Sequence, residues 1–507
     1  MKKTGLFFKL LFLSLALSLG LSFLFGCGQK DLDTEIPNKD DIEIFSQEDC
    51  LLPPCQEVLK ETEESEDNSD KEISINDLNE ETPSSSENEI IDTKKEEIPQ
   101  QIVETPQNKQ PVIEKQEEPQ KEEPKKEEIP PEKVEEPTVP AQNQSQPISE
   151  KRAVWVSYLD FISLLKGKSE AVFSSNIQNA FNKVKALGLN TVIVQVRPFG
   201  DALYESRVFP WSEYASGEEG VSPGFDPLEI MVNTARKEGL KIEAWINPYR
   251  VRSKGSFSEL SKGNKARAWQ GTDDVVSFNG GIYFNPASES ARELIVSGVS
   301  EIVSNYDVDG IHFDDYFYPT TSEDFDRSSY QNSGTSLSLG DWRRENVNKL
   351  VRSVYSEIKS INPACEFGIS PQSSIEKNYS VQYVDARKWL SNSGYVDYIM
   401  PQIYHGFENS KMPFAKTVND WNNLIKTNVR LEVGLSPYKI GLEDKYAGDG
   451  RYEWIESDEI LRRMVLCSRK QGSYNGFALF RYDSIINPQA SIKPQLNNEL
   501  LALKEIF

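Results

Sequence analysis

Histidine is nearly absent from this 507-residue chain, which has His312 and His405 and no other. Zinc sites draw on histidine and cysteine, and the five cysteines (Cys27, Cys50, Cys55, Cys365 and Cys467) form no CxxC pair. No metal site and no cofactor is therefore expected. A GxGxxG turn after the first apolar strand is missing as well, which removes the nucleotide-binding signature of a doubly wound open sheet, the main rival architecture. The chain also lacks a basic face. Residues 31–150 hold 36 Asp and Glu against 11 Lys, whereas residues 151–507 hold 44 acidic and 41 basic side chains. The C-terminal region is close to neutral, which argues against a nucleic-acid partner, since phosphate recognition needs a net basic surface.

What is present begins with Lys2, Lys3 and Lys9, followed by an apolar run from Leu10 to Phe25. These are the charged and hydrophobic regions of a secretory signal peptide, residues 1–26. The run closes on Leu24-Phe25-Gly26-Cys27, which resembles a bacterial lipobox with Cys27 as the lipidated residue, although Phe25 is bulkier than that pattern prefers. The alternative is an uncleaved anchor, for which the run is short. Either way an exported protein is tethered by its N-terminus to the outer face of the cytoplasmic membrane. Residues 27–150 form a linker of Glu, Lys, Pro, Gln and Ser with scarcely an aromatic, a composition expected to stay disordered. Coil scaling gives a mean reach of roughly 60 Å for about 120 residues. Cys50 and Cys55 have the spacing of a local loop, and Cys365 and Cys467 fall in predicted core elements as buried thiols.

From Lys151 the texture changes, and strand-length apolar runs alternate with amphipathic helices eight times. Strands are predicted to begin at Ala153, Thr191, Lys241, Gly310, Glu366, Asp397, Leu431 and Gly476. Helices are predicted over 177–187, 227–238, 291–305, 342–361, 414–426, 457–469 and 495–506. This is the rhythm of a (β/α)8 TIM barrel, residues 151–507.

In such a barrel, chemistry is assembled at the C-terminal strand ends, and Gly310-Ile-His-Phe-Asp-Asp-Tyr-Phe-Tyr-Pro319 delivers two carboxylates there. Taking Asp314 as inward, the period-two alternation of a strand turns His312 inward with it. The same rule points Gln195, Arg197, Glu243, Trp245, Asn247, Ser370, Gln372, Gln402, Tyr404 and Ser436 into the barrel. A structural barrel would carry Val, Ile and Leu at these places, and polar groups there destabilise unless they pair or serve a ligand. Asp314 and Asp315 are consecutive, so on a strand they point apart; Asp314 is the better catalytic candidate and Asp315 its support. The competing role for Asp314 is an ion pair with Arg197. Glu243 is either a general acid raised by burial beside Trp245 or a paired core carboxylate. Asp160, Asp201, Glu205 and Asp483 follow other strands. A substrate that brings its own nucleophile, such as an N-acetyl group, would ease the shortage of facing carboxylates. His312 reads as a packed core histidine ahead of a general base, and the Arg343-Arg344 pair either presents one guanidinium to a carboxylate or, more simply, forms a solvated helix face. Aromatics crowd the loop side at Phe199, Tyr204, Trp211, Tyr249, Tyr316, Phe317, Tyr318, Tyr404 and Phe407, as suits a sugar ring. The candidate catalytic residues are Asp314, Asp315 and Glu243. The candidate substrate contacts are Arg197, Asp201, Trp245, Asn247, His312, Tyr316, Gln402, Tyr404 and His405.

The stretches RAVWVSYLD, NTVIVQVRPFGDALYES, FDPLEIMVNTARKEGLKIEAWINPYR, GIHFDDYFYP, DWRRENVNKLV, YIMPQIYH and LSPYKIG together resemble the glycosyl hydrolase-like 10 family, across essentially all of residues 151–500. The resemblance implies a (β/α)8 barrel, often on an exported lipoprotein, and glycosidase activity on peptide-free peptidoglycan strands or a related polysaccharide. Two further expectations compete with it. One is a non-catalytic glycan-binding lipoprotein, and the other a metal-dependent deacetylase, which the histidine count disfavours. The sequence leaves the oligomeric state open.

Overall fold

A computed structural model describes residues 150–507 of the chain. The signal peptide, Cys27, Cys50, Cys55 and the acidic linker up to residue 149 lie outside the described residues.

Eight parallel strands close into a barrel: β1 (Lys151–Val156), β2 (Thr191–Arg197), β3 (Lys241–Ile246), β7 (Gly310–Phe313), β8 (Glu366–Ile369), β9 (Tyr398–Ile399), β10 (Arg430–Leu435) and β11 (Tyr474–Leu479). Their order around the wall is β1-β11-β10-β9-β8-β7-β3-β2, the (β/α)8 arrangement that the alternation of elements predicts. β2 shows why. Its Thr-Val-Ile-Val-Gln-Val run is β-branched everywhere but at Gln195 and buried at every position, as a strand covered on both faces requires. Helix boundaries are equally local. For Pro227–Glu238, the Asp226 carboxylate accepts from the backbone N–H of Leu228 and Glu229, proline opens the first turn, and Gly239 closes the helix at φ 70°.

Two departures from the predicted pattern matter for the site. The connection from β8 to β9 is made not by one long helix but by two short ones, Ile375–Ser380 and Ala386–Ser391. The connection from β3 to β7 carries an antiparallel sheet of β4 (Arg250–Arg252), β5 (Val275–Phe278) and β6 (Gly281–Phe284) in the order β4-β6-β5. The β5–β6 hairpin turns on Asn279 and Gly280, both at positive φ, a backbone that an Asn-Gly pair favours.

Apolar burial is concentrated between the barrel wall and its helices, where Val192, Val194, Ile311, Phe367, Leu431 and Phe477 are fully buried among helix side chains. The barrel interior has only a small apolar group of Ala153, Trp155, Ile193, Trp245, Tyr398, Met400 and Ala478. Large rings fit there because the facing positions are glycine. A Cβ at Gly368 would collide with the Tyr398 ring, and one at Gly434 would lie 3.1 Å from Trp155.

The floor of the barrel is an ion cluster. Lys151 Nζ lies 2.6 Å from Glu243 Oε1, 3.0 Å from Glu432 Oε2 and 3.4 Å from Glu366 Oε2, and 3.7 Å above the centre of the Tyr398 ring. Burial alone would depress the Lys151 ammonium, but the charges of Glu243, Glu432 and Glu366 outweigh it and hold the group above its usual value. Burial pushes the Glu432 carboxyl up to about 7 against the pull of Lys151, with Glu243 adding to the rise. Cys365 is buried and Cys467 half-buried, both as free thiols.

Candidate active site

At the C-terminal end of the barrel lies a cleft that opens to solvent. Its floor is Trp155 and Trp245, and its walls come from the ends of six strands: Ser157 and Tyr158 after β1, Arg250 after β3, Asp314 to Tyr316 after β7, Ser370 after β8, Gln402 and Tyr404 after β9, and Phe480 and Arg481 after β11. Ser157 and Arg481 are tied down by one carboxylate behind the wall. Asp160 caps the turn after β1 by accepting from the backbone N–H and hydroxyl of Ser157 (2.7 and 2.9 Å). Its other oxygen accepts from Arg481 Nη1 at 2.5 Å, so one buried carboxylate joins the walls from the first and last strands.

Asp314 and Asp315 both face the cleft, against the expectation that consecutive residues point apart. β7 ends at Phe313, so strand alternation no longer governs the two acids. Asp314 Oδ1 accepts from Gln402 Nε2 (3.2 Å) and from the backbone N–H of Asp315 (2.9 Å). Burial, then the charge of Asp315, holds the Asp314 carboxyl well above the usual carboxylate range. Burial raises Asp315 too, but hydrogen bonds from Asp314, Gln382 and Gln372 pull against it. The arrangement favours one proton on the pair, carried by Asp314. No other carboxylate lines the cleft among the described residues.

Gln402, Tyr404, Trp245 and Tyr316 line the cleft as the strand ends predict. Asn247 lies just behind it, where its side-chain oxygen accepts from Trp245 Nε1 (3.2 Å) and Gln195 Nε2 (3.4 Å). His312 sits beneath the floor, fully buried, with Trp155 Nε1 at 3.2 Å and Ser370 Oγ at 3.0 Å from its Nε2, and Tyr398 Oη at 2.8 Å from its Nδ1. Burial, and the charge of Lys151, push it well below its usual pKa, so the ring is neutral.

Four expectations need correction. Arg197 does not turn into the cleft. A bulge between Gln195 and Arg197 reverses the alternation, and its guanidinium stacks on Phe209 and donates to the carbonyls of Pro248 and Phe199. It forms no pair with Asp314. Asp201 is buried away from the cleft beside Ser212, pushed up to about 7 by burial. His405 packs to one side, 2.8 Å from Ser373 Oγ, with burial lowering its pKa to about 4. The Arg343 side chain is fully buried rather than solvated. It binds both oxygens of Asp326, the Tyr383 hydroxyl and the carbonyls of Thr321 and Ser322, and so pins the loop that follows the acid pair. Glu243 takes the second of its two expected roles. Strand β3 pairs it with Gly310, four residues before Asp314 or roughly 13 Å by strand rise, and it is held by Lys151 and by the Tyr398 hydroxyl at 2.5 Å.

Sequence reasoning missed Trp155, Tyr158, Arg250 and Phe480. Trp155 shares the inward alternation of Ala153 and was legible. Arg250 was not. It reaches the cleft because the β4 insertion folds back, stacking its guanidinium 4.5 Å from the Tyr316 ring centre and 4.7 Å from that of Phe199. Of the other aromatics, Tyr204, Tyr249, Phe317 and Tyr318 are core packing, and Trp211 and Phe407 pack half-buried against that core.

The chain is thus a parallel (β/α)8 barrel whose strand ends converge on a buried acid pair above a floor of two indoles. The model of the glycosyl hydrolase-like 10 family matches residues 150–449, and the chain belongs to that family. It is 32% identical over 388 residues to the glycosyl hydrolase YngK of Bacillus subtilis strain 168, covering 72% of this chain and 74% of that protein. With the glycosyl hydrolase DigH of Escherichia coli K12 it shares 33% over 390 residues, covering 70% and 87%. Among solved structures, the glycoside hydrolase domain of PgaB (BpsB) from Bordetella bronchiseptica superposes with a TM-score of 0.47 at 13% identity, over 69% of this chain and 99% of that one.

Proposed function

We propose that this protein is an exported glycoside hydrolase, tethered through Cys27, that cleaves N-acetylated cell-wall glycan such as peptide-free peptidoglycan strands by a substrate-assisted mechanism. The observation that carries the proposal is the pairing of Asp314 with Asp315 as the two carboxylates of the cleft. Cleavage by opposed carboxylates needs groups on both sides of the scissile bond, roughly 5 to 9.5 Å apart. Residues adjacent in the chain serve one side only, so the nucleophile is supplied by the sugar's own acetamido carbonyl.

In this scheme the Asp314 proton passes to the glycosidic oxygen as the bond to the anomeric carbon breaks, and the acetamido oxygen closes onto that carbon. Asp315, whose donors Gln382 and Gln372 pull against the burial that raises its carboxyl, accepts as the carboxylate from the acetamido N–H and offsets the positive charge on the cyclic intermediate. Asp314, now a carboxylate, takes a proton from water as that water reopens the ring. The indoles of Trp155 and Trp245 supply a flat floor for the sugar.

The test is mass spectrometry of soluble products after the full chain is incubated with peptide-free peptidoglycan glycan, with Asp314→Asn in parallel. Short saccharides from the wild type alone are expected. Equal release by the variant would remove Asp314 from the mechanism. The one-sided acid pair also favours a second function, glycan binding without turnover, for which binding with no product from either protein is the signature.

A further inference from the structure

The polar groups beneath the cleft floor have an order that the mechanism above does not use. Trp155 Nε1 carries a proton and no lone pair, so it can only donate. Its partner at 3.2 Å, His312 Nε2, must therefore be the acceptor. A neutral imidazole carries its one proton on the other nitrogen, and His312 Nδ1 faces Tyr398 Oη at 2.8 Å. That hydroxyl accepts from the histidine because its own proton goes to Glu243 Oε2 at 2.5 Å. Glu243 is free to accept because its charge is balanced by Lys151 at 2.6 Å. The column beneath the floor thus leaves Nε2 free to accept from Trp155. With Nε2 an acceptor, the Ser370 hydroxyl proton is shared between Nε2 at 3.0 Å and the Phe313 carbonyl at 3.4 Å, and the Ser370 carbonyl accepts from Gln402 Nε2 at 2.9 Å, the same group that holds Asp314.

We infer that His312, locked as the Nδ1–H tautomer by Tyr398 and Glu243, is a positioning residue that fixes the Trp155 indole and, through Ser370, the Gln402 arm on Asp314. The inference rests on the function proposed above. It accounts for a buried Lys–Glu–Tyr–His column where an apolar barrel core would serve stability as well. Buried polar groups that are all satisfied specify one arrangement of their neighbours.

The chain suits a direct test because it has two histidines. Full-length protein labelled with 15N at histidine gives two sets of ring signals, assigned with His312→Gln. The expected wild-type result is a protonated Nδ1 and an unprotonated Nε2 on His312 between pH 6 and 8; a protonated Nε2 overturns the inference. Tyr398→Phe keeps the ring but leaves the Nδ1–H without its acceptor, so the imidazole is no longer held at the angle that aims Nε2 at the Trp155 N–H. Turnover of peptide-free glycan then falls by about 10- to 100-fold in kcat with little change in KM, as expected when a reacting group is misplaced by a fraction of an ångström. His312→Gln, whose amide oxygen still accepts from Trp155, retains more activity than His312→Leu. A Tyr398→Phe protein whose His312 ring signals move but whose kcat stays at the wild-type value overturns the positioning role. If the wild type binds glycan but releases nothing, the proposed hydrolysis fails instead. Calorimetry with hexameric N-acetylglucosamine then decides the present inference: a higher Kd for Tyr398→Phe supports it, and an unchanged one overturns it.

Discussion

Replacing Lys151 with methionine tests whether the barrel floor is a true buried ion cluster. The ammonium has contacts of 2.6 Å to Glu243 and 3.0 Å to Glu432, whose side chains are 1% and 0% exposed, and a third of 3.4 Å to the less buried Glu366. Methionine fills most of the volume but leaves two buried carboxylates without their cation. Breaking a buried pair from one side costs about 3–5 kcal/mol. With an unfolding entropy near 2.1 cal/mol/K per residue, a barrel of about 350 residues has roughly 0.7 kcal/mol/K in total, so the loss corresponds to a Tm drop of about 4–7 °C. The effect has a pH signature. Lys151, raised in the folded state, contributes stability that is complete below its unfolded value near 10.4 and is lost only as pH rises beyond it, so the wild-type cation is constant between pH 5 and 8. In the variant the orphaned carboxylates recover by taking up protons, and the deficit shrinks toward pH 5. Thermal melts of the full chain followed by circular dichroism at pH 5 and 8, at one scan rate, measure both quantities. A variant melting within a degree of wild type at pH 8 would refute the reasoning, because it would mean that water already screens the floor charges. A Lys151→Met, Glu243→Gln double variant should recover part of the loss by restoring neutrality.

Other consequences are open to simpler tests. Glu432, raised to about 7 in the folded state, contributes stability that is full below its unfolded value near 4.3 and is lost as pH climbs to about 7. Glu432→Gln should therefore match the wild type near pH 4.5 and melt higher at pH 8, and a higher melt at both pH values would contradict the assignment. Arg343→Lys keeps the charge but not the paired contact with Asp326 or the reach to Tyr383 and the Thr321 and Ser322 carbonyls. It should lower stability by about 1–3 kcal/mol, read from urea midpoints, and increase proteolysis in the loop over residues 320–326. De-N-acetylated glycan should not be cleaved if the acetamido group is the nucleophile. Release of saccharides from it at the rate of the acetylated polymer would point to a second carboxylate.

The fold was readable because each strand carries its own signal, a short apolar run, and eight such runs alternate with amphipathic helices, although at uneven spacing. The inward set was readable in part for the same reason. His312, Gln195, Trp245, Ser370 and Gln402 keep strict alternation, and all lie in or next to the cleft. Arg197 broke the rule through a one-residue bulge that depends on how two strands meet, which no single strand encodes. The two acids broke it because their strand stops at Phe313. Arg343 looked solvated because its partner Asp326 arrives on a separate loop. The Asn279-Gly280 pair was a legible hairpin signal that eight-fold counting passed over, and with it went Arg250, which that insertion presents to the cleft.

Gln402 is joined to the wall and to the chemistry at once. β9 is only two residues long, and beyond it the wall continues as single bridges from Gln402 to Gln372 and Gly434, with its backbone N–H donating to Pro371. The same residue's amide is what touches Asp314. Sealing the cylinder and seating the acid are therefore a single event. A chain cut near residue 449, where the family match ends, would lack β11 and leave β1 and β10 as raw edges. Such a fragment would keep both acids in its sequence without the closed wall that aims them.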